Sequence, residues 1–296
     1  MKRLLFIISI VVLPFFIFTA CEKENGEKGT LNLYITDAPI DSDGIDGVFI
    51  TFSKIEYHTS EDGWQAFDDF EGPKTFNLLD LQRGVSDILG NFEIVSGTYT
   101  QLRFMLDAPL FDNGPQSNPG CFLEFEDGET KNLFVPSGAQ TGYKAVGAFT
   151  VPSNGSVDVT ADFDVRKSVI KAGASGKYIL KPTIRLIVNN QAGQIAGDVI
   201  NTADREIVIY AYEEGTYDIS EAAEPNEEET RFPNAVTSDM VDENGNYHLA
   251  YLAPGSYDLV VVATIEGQFD EVLGIVENVE VESKETTNQQ INLEEL

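Results

Sequence analysis

The sequence of 296 residues is poor in the side chains that most catalytic and metal sites need. It contains two cysteines, Cys21 and Cys121, two histidines, His58 and His248, and a single tryptophan, Trp64. The histidines lie far apart in the chain, so we do not expect a histidine-rich metal site. Serine elbows, phosphate loops and paired-histidine motifs are also absent, and Cys121 has no histidine close to it in sequence. We therefore expect a protein that is not an enzyme.

Basic residues are scarce as well. The chain has 19 lysines and arginines against 49 acidic residues, a formal charge of −30. A surface with this balance repels polyanions, so neither nucleic acid nor anionic lipid is expected as a general partner. The large number of carboxylates also makes any one pair of them uninformative about glycoside hydrolysis.

The chain begins with a leader in which two basic residues precede an apolar run at 4–18. The run is too short to span a bilayer comfortably, and Pro14 interrupts it, so a cleaved signal is a better interpretation than a membrane anchor. Phe18-Thr19-Ala20-Cys21 resembles the lipobox of bacterial lipoproteins, although that motif usually has leucine first and a smaller second residue. The resemblance implies a lipoprotein signal peptide at residues 1–20 and a diacylglycerol on Cys21 that holds the protein at a membrane.

Residues 21–28 are charged and nearly free of apolar side chains, so we expect a solvated tether. The leader contains two of the 19 basic residues and no acid, which leaves 17 basic and 49 acidic residues after cleavage, a charge of −32. The tether is similar to the export signal of surface lipoproteins in the Bacteroidetes. That similarity implies an outer membrane lipoprotein exposed at the cell surface; the alternative is the periplasmic face of the same membrane.

Strand-length segments with alternating apolar and polar residues recur along the chain and end at Gly, Pro, Asn or Asp. These segments are Thr30–Thr36, Val48–Tyr57, Tyr99–Leu106, Val157–Phe163, Tyr178–Val188, Ile207–Tyr212 and Tyr257–Thr264. They predict an all-β protein with two β-sandwich-like domains in tandem. A helical turn near Leu78–Leu89 is the exception, and the acidic stretch 221–229 is predicted to be a mobile loop.

The first predicted domain, residues 29–190, contains a series of characteristic segments. They are Gly29-Thr30-Leu31, Thr36-Asp37-Ala38-Pro39, Val48–Glu56, Asn77–Leu81, Gly97-Thr98-Tyr99 with Arg103, Ser137–Gly142, Asp162–Val165 with Lys167-Ser168, and Leu180–Arg185. In these segments the domain resembles a family of Bacteroidetes lipoproteins defined by domain of unknown function 4382. The family has no assigned activity, so the resemblance implies a fold and no chemistry.

The second predicted domain, residues 193–293, contains the segments Gly197-Asp198-Val199, Val241–Leu249 and Leu252–Val260. In these segments it resembles the transthyretin-like, carboxypeptidase-regulatory type of β-sandwich within the carbohydrate-binding-like fold. Asn244-Gly245 supplies the positive φ of a tight hairpin, and Pro254-Gly255 a second turn. Such domains usually act as spacers or adaptors, and the fold alone does not imply sugar binding.

A basic segment is the least expected feature of this acidic chain, because no Asp or Glu occurs between Asp164 and Asp198. If Tyr178–Val188 is one strand, then Lys177, Lys181 and Arg185 share its solvent face, each about 13 Å from the next. One hypothesis is that this stripe binds an anionic glycan. The alternative is that the three side chains pair with carboxylates across the sheet and protect an edge strand.

Four carboxylates, those of Asp37, Asp41, Asp43 and Asp46, lie within ten residues and could bind calcium through oxygen ligands. The spacing departs from a calcium loop because Ile45 replaces a ligand, so a solvated turn is the alternative. Trp64 has two interpretations as well: a platform for stacking a sugar, or packing against Phe67 and Phe70 nearby. No other cofactor is predicted.

These observations predict a lipid-anchored protein of the Gram-negative cell envelope that binds or scaffolds without catalysis. Its expected partners are the membrane, through the lipid, and a glycan or another envelope protein. The first alternative is a carbohydrate-binding surface lipoprotein for anionic glycans. A second is a glycoside-processing enzyme with an unrecognised carboxylate pair.

Overall fold

The computed structural model describes residues 26–37, 44–108, 120–135, 141–172, 176–203, 205–226 and 229–296. Within these ranges nearly all regular structure is β-strand, which confirms the all-β prediction. A single α-helical turn, α1 (Val165–Ser168), is found in the described part of the chain, together with three short 3-10 helices. None of the helices in these ranges has the length and apolar content needed to cross a bilayer.

Thirteen strands of the described residues form one connected sheet, which we call the first domain. Their order is β11-β12-β8-β7-β2-β6-β9-β13-β10-β1-β5, and β3 and β4 pair with β2. The strands are β1 (Lys28–Thr36), β2 (Ile45–Thr59), β3 (Gly63–Ala66), β4 (Lys74–Asn77), β5 (Asp87–Val95), β6 (Gly97–Leu106), β7 (Phe122–Phe125), β8 (Thr130–Phe134), β9 (Tyr143–Val151), β10 (Ser156–Phe163), β11 (Val169–Ala172), β12 (Lys177–Leu180) and β13 (Ile184–Val188).

The sheet curls around a single apolar core. Strand β2 has register shifts between Ile45 and Gly47 and between Phe52 and Lys54, and such bulges bend a strand. As a result Phe52 of β2 packs on Phe163 of β10, four strands away in the sheet order, with ring centroids 6.1 Å apart. Buried side chains from both halves of the sheet belong to the same core cluster.

The parallel pairing of β1 with β10 places acidic residues together at one end of the sheet. Thr36 lies opposite Asp162 in this register, so Asp37 and Asp164 follow at the same end. All three aspartates are buried, with exposed fractions between 3% and 6%. This end faces the rest of the chain, as the hydrogen bonds described below show.

Eight further strands in the described part of residues 193–296 form two sheets, which we call the second domain. One sheet has the order β17-β14-β20, with β21 also on β14, and the other has the order β16-β15-β18-β19. The strands are β14 (Gly193–Ile200), β15 (Glu206–Glu213), β16 (Thr237–Met240), β17 (Asn246–Leu252), β18 (Gly255–Ile265), β19 (Gln268–Val281), β20 (Thr286–Asn288) and β21 (Ile291–Asn292). An apolar cluster that includes Ile195, Leu249 and Leu259 fills the space between the sheets.

Strands β15 and β18 are buried on both faces, because a second cluster covers the face that points away from this core. Tyr210, Tyr212 and Phe232 are its largest fully buried members. The acidic stretch predicted as a mobile loop contributes to this cover. Its residue Glu221 accepts hydrogen bonds from the Tyr212 hydroxyl (2.9 Å) and from the Asn234 backbone N–H (3.1 Å).

The predicted helical turn at Leu78–Leu89 is only partly present. A 3-10 helix covers Leu78–Leu81, and β5 already begins at Asp87. Between them Arg83 and Gly84 have φ values of +59° and +81°, which end the helix and turn the chain. The apolar spacing there reflects a helix followed by a strand rather than one longer helix.

Candidate functional site

The predicted basic stripe does not lie on one strand. Residues 181–183 are not in a strand, so Lys177 belongs to β12 and Arg185 belongs to β13. Strand β12 pairs with β8 and β11, whereas β13 pairs with β9 and β10. Pro182 lacks the N–H of a ladder residue, and the N–H groups on either side of it donate to Ser168 instead. The prediction of one continuous strand at Tyr178–Val188 is therefore wrong, and no single face carries all three cations.

Arg185 points into the structure. Its Nε donates to the Asp162 carboxylate (2.6 Å), and its Nη1 donates to the Tyr251 carbonyl of the second domain (3.0 Å). Burial raises the pKa of Asp162, an effect that the neighbouring Arg185 guanidinium partly offsets. Arg185 thus joins the two domains, in line with the pairing alternative for this residue.

Lys177 lies in a cleft of about 400 Å³ between β8 and β12. The cleft is lined by Thr130, Lys131, Asn132, Phe134, Gly176, Lys177 and Tyr178. The ammonium of Lys131 lies 4.8 Å from the Phe125 ring centroid and 6.0 Å from that of Tyr178. Sequence reasoning missed Lys131 because the parallel pairing of β8 with β12 brings it to the basic segment from a distant part of the chain. Lys181 is exposed at the break and does not line this cleft.

The predicted calcium ligands are only partly described by the structure. Asp41 and Asp43 lie outside the described residues. Asp37 is buried, and its Oδ1 accepts a hydrogen bond from the Val165 N–H (3.0 Å), while Asp46 is exposed on β2. No group of three acidic, histidine or cysteine side chains suited to a metal occurs among the residues that the structure describes. The calcium site remains a prediction, as does the lipid on Cys21, which also lies outside the described ranges.

Cys121 has a structural environment. It is fully buried in the core of the first domain, and the Thr51 N–H donates to its sulfur (3.5 Å). Burial raises the pKa of its thiol to about 12. Because the thiolate is the reactive form of cysteine, this side chain is poorly suited to nucleophilic chemistry.

Trp64 lies among cations on the outer face of the first domain. The Arg103 guanidinium is 4.3 Å from the ring centroid, and the Lys144 ammonium is 5.7 Å from it. The His58 ring meets the indole edge-to-face at 5.1 Å. Trp64 is half-buried and has no ring contact with Phe67, which instead stacks on Phe92. The prediction that Trp64 packs against Phe67 is therefore wrong, and the indole packs against Arg103 and His58 instead.

Buried cations join the two domains next to α1. The Asp164 side chain caps this helical turn by accepting from the Lys167 N–H (3.2 Å). The turn directs Arg166 Nη1 to the Phe232 carbonyl (2.8 Å) and Lys167 Nζ to the Ala235 carbonyl (2.5 Å). The Arg166 guanidinium also lies 5.2 Å from the centroid of the Tyr210 ring, so it helps to shield this face of β15 from solvent.

A second group of contacts surrounds Arg83 at the same end of the first domain. Its Nη2 donates to the Asn246 carbonyl (3.0 Å), and its Nε lies 3.3 Å from the Asp239 carboxylate. Nδ1 of His248 lies 2.9 Å from the Arg83 carbonyl oxygen. A side chain at Gly84 would obstruct this contact, because its Cβ would lie 2.9 Å from Cε1 of the imidazole. Burial lowers the pKa of His248. The histidine is therefore part of the domain junction.

Comparison with known proteins gives one family and a set of distant structural likenesses. Residues 28–182, just over half of the chain, match the family described as Domain of unknown function (DUF4382). No curated protein matches.

Solved structures with some likeness include GBS52, the minor pilin of Streptococcus agalactiae, with 11% identity, coverage of 90% of this chain and 95% of that chain, and a TM-score of 0.22. The shaft pilin SpaA of Lactobacillus rhamnosus GG has 9% identity, coverage of 89% and 97%, and a TM-score of 0.23. The TIE protein of Bacillus anthracis has 11% identity and a TM-score of 0.21; the match covers 90% of this chain and only 34% of that protein. At these TM-scores we draw no function from the likeness. The family match covers β1 to β12, and the chain belongs to the DUF4382 family.

Proposed function

We propose that this chain is a lipid-anchored, non-catalytic protein of the Gram-negative cell envelope that holds a binding or scaffolding unit at the outer membrane. A diacylglycerol on Cys21 is the anchor, and the charged residues that follow are the tether. The unreactive environment of Cys121 and the packed position of His248 support a role without catalysis.

The observation that carries the proposal is the polar junction between the domains. Cations of the first domain, including Arg83, Arg166 and Arg185, donate to backbone carbonyls of the second domain. Donors fixed on one domain and acceptors fixed on the other restrict relative motion. A tethered protein whose two domains move together suits an adaptor or spacer.

We also propose that residues 193–293 are a carboxypeptidase-regulatory, transthyretin-like sandwich. The two packed sheets of the second domain support this assignment. So does the Asn244-Gly245 turn between β16 and β17, in which Gly245 has a φ of +84°. An adaptor role for such a domain agrees with the junction.

Labelling and accessibility test the anchor and its location. In a Gram-negative host, the wild-type protein should incorporate radiolabelled palmitate and fractionate with the outer membrane. The variant Cys21→Ser should lose the label and leave the membrane fraction. Digestion of intact cells by added protease tests surface exposure; protection until the outer membrane is permeabilised would place the protein on the periplasmic face. Palmitate incorporation by Cys21→Ser would contradict the proposed anchor.

A second candidate function is binding of anionic glycans, favoured by the cleft between β8 and β12. Lys131 and Lys177 both line this cleft on a strongly acidic chain; the Lys131 ammonium lies 6.0 Å from the Tyr178 ring centroid and 3.2 Å from the Glu129 carboxylate. The double variant Lys131→Gln/Lys177→Gln should reduce retention on immobilised polygalacturonate. Lys28→Gln is a matched control, since Lys28 is an exposed lysine paired with Glu93 elsewhere on the first domain. Equal retention of the double variant and the parent would contradict binding in this cleft.

A further inference from the structure

The sole tryptophan of the chain lies beside two cations of the first domain. Trp64 on β3 is opposite His58 on β2, and Arg103 on β6 is opposite Lys144 on β9. Three sequence-distant strands therefore supply the neighbours of one indole ring. All of these residues are well inside the described ranges.

The arrangement is held by a buried carboxylate. Glu56 on β2 has a side chain only 8% exposed and pairs with both Arg103 and Lys54. Arg103 uses Nε and Nη2 for this pair, and its Nη1 has no hydrogen-bond partner among the described residues. Glu56 thus fixes the guanidinium against the indole and leaves one donor nitrogen available.

Cations are concentrated around the indole of this otherwise acidic chain. Lys54, Arg103 and Lys144 carry three positive charges; Glu56 pairs with two of them, and Glu61 and Asp62 lie in the β2–β3 turn beside the patch. Lys144 is exposed and makes no ion pair with any described residue. On a chain with a net charge of −30, such a patch attracts anions while the remaining surface repels them.

The chemistry of the patch indicates the ligand class. An indole offers an apolar face that can cover the C–H face of a pyranose, and half-buried aromatic rings of this kind are frequent anchors in binding sites. Guanidinium and ammonium groups bind carboxylates and sulfates through charge-assisted hydrogen bonds. Extended nucleic acid does not fit, because its many phosphates would meet the acidic surface around the patch.

We propose that Trp64, Arg103 and Lys144, with His58 at the ring edge, bind a carboxylate- or sulfate-bearing sugar unit. The proposal rests on the glycan-binding candidate function and assigns it a site separate from the β8–β12 cleft. Arg103 and Lys144 bind the acidic group, and Trp64 covers the sugar ring beside it.

Because the chain has a single tryptophan, its fluorescence reports on this site directly. The mature chain with Cys21→Ser, which stays unlipidated, is titrated with polygalacturonate, heparin and neutral dextran. We expect a saturable change in emission with the acidic polymers and none with dextran. Polygalacturonate supplies carboxylates and heparin supplies sulfates as well, so their relative affinities distinguish the two acidic groups.

Variants separate this site from the cleft. Lys144→Gln should weaken binding about tenfold, the size expected for one lost charge-assisted contact. Trp64→Phe should weaken retention on the immobilised polymer while circular dichroism remains that of a folded β protein. The exposed-lysine control Lys28→Gln should bind as the parent does.

The outcomes distinguish this proposal from the broader one. Unchanged emission together with parental affinity for Lys144→Gln would overturn the Trp64 site. If retention then depends on Lys131 and Lys177, glycan binding stands and belongs to the cleft. If no acidic polymer is retained, the glycan-binding function fails and the Trp64 site fails with it.

Discussion

At the scale of single residues, Asp239 on β16 is a buried carboxyl next to a cation. It is 1% exposed, and burial raises the pKa of its carboxyl to about 7, although the hydrogen bond from the His248 N–H and the nearby Arg83 guanidinium favour the charged form. The neutral form is therefore favoured in the folded protein relative to the unfolded chain. An acid with a raised pKa lowers stability where it must ionise, so this cost grows as pH rises from about 4 to about 7.

We predict that Asp239→Asn removes this cost. Between pH 5 and pH 8, the free energy of unfolding of the variant should rise relative to the parent by about 2–3 kcal/mol, as the parent ionises an unfavourably placed carboxyl. Urea unfolding of both proteins at pH 5, 6, 7 and 8 measures the difference. The burial that lowers the pKa of His248 is the same in both proteins, so the contribution of this residue cancels to first order. A constant difference across this range would show that Asp239 does not have a raised pKa.

On the scale of an element, strand β14 depends on close backbone contact. It pairs in parallel with β20, and a Cβ at Gly197 would lie 1.9 Å from the Gln289 carbonyl oxygen and 2.7 Å from the carbon of that carbonyl. Both atoms belong to backbone that the Ala196 carbonyl already holds through the Gln289 N–H (2.9 Å). Position 197 has no room for a side chain, which explains why the Gly197-Asp198-Val199 segment begins with glycine.

The substitution Gly197→Ala should therefore destabilise the protein by roughly 2–4 kcal/mol, because β20 or β14 must shift to admit the methyl group. The neighbouring change Ala196→Gly is a control for altered chain flexibility and should cost no more than about 1 kcal/mol. Chemical denaturation of the two variants and the parent provides the comparison. Parental stability of Gly197→Ala would mean that the two strands are not in such close contact.

The elements also show how far sequence patterns extend. Alternation at Tyr99–Leu106 and Val157–Phe163 predicted β6 and β10 nearly to the residue, because β6 and the first half of β10 have one buried face. Apolar and polar residues also alternate through Tyr178–Val188. The strand is nevertheless interrupted there, because Ser168 accepts hydrogen bonds from the backbone N–H groups on both sides of Pro182. The period of the apolar residues indicates which side chains are buried, but it does not indicate where the chain leaves one partner strand for another.

Candidate sites were harder to predict than strands for the same reason. The basic residues were visible in the sequence, but their partners were not. Arg185 faces Asp162 and the Tyr251 carbonyl, whereas Lys131 approaches Lys177 through a parallel strand pair. The contact between Trp64 and Arg103 likewise depends on how β3 and β6 flank β2, which local patterns do not encode.

For the molecule as a whole, the junction should couple the folding of the two domains. The Arg166 side chain is 3% exposed and contacts the Asp164 carboxylate, the Phe232 carbonyl and the Tyr210 ring. Removing a buried donor of this kind leaves its acceptors unsatisfied, which costs several kcal/mol as an order of magnitude. The cost falls on the junction rather than on either core.

We predict that Arg166→Met separates the unfolding of the second domain from that of the first. Hydrogen exchange in increasing urea should show β15 and β18 losing protection at lower denaturant than β6 and β10, whereas all four lose it together in the parent. Arg205→Met is a control in which an exposed arginine paired with Glu271 is removed, and it should behave as the parent. Concurrent loss of protection in Arg166→Met would exclude this arginine as the coupling residue.

The acceptors at the junction have a consequence for how such proteins diversify. Arg83, Arg166, Lys167 and Arg185 bind main-chain oxygens of Asn246, Phe232, Ala235 and Tyr251, and every amino acid at those positions would present the same oxygen. These four contacts follow the path of the neighbouring backbone, whereas the side chains of Asp239, Asp242 and His248 supply the sequence-dependent contacts around Arg83. A different sandwich with the same backbone path and with partners for Arg83 could be grafted after β13, so natural recombination could exchange the second domain while the first stays constant.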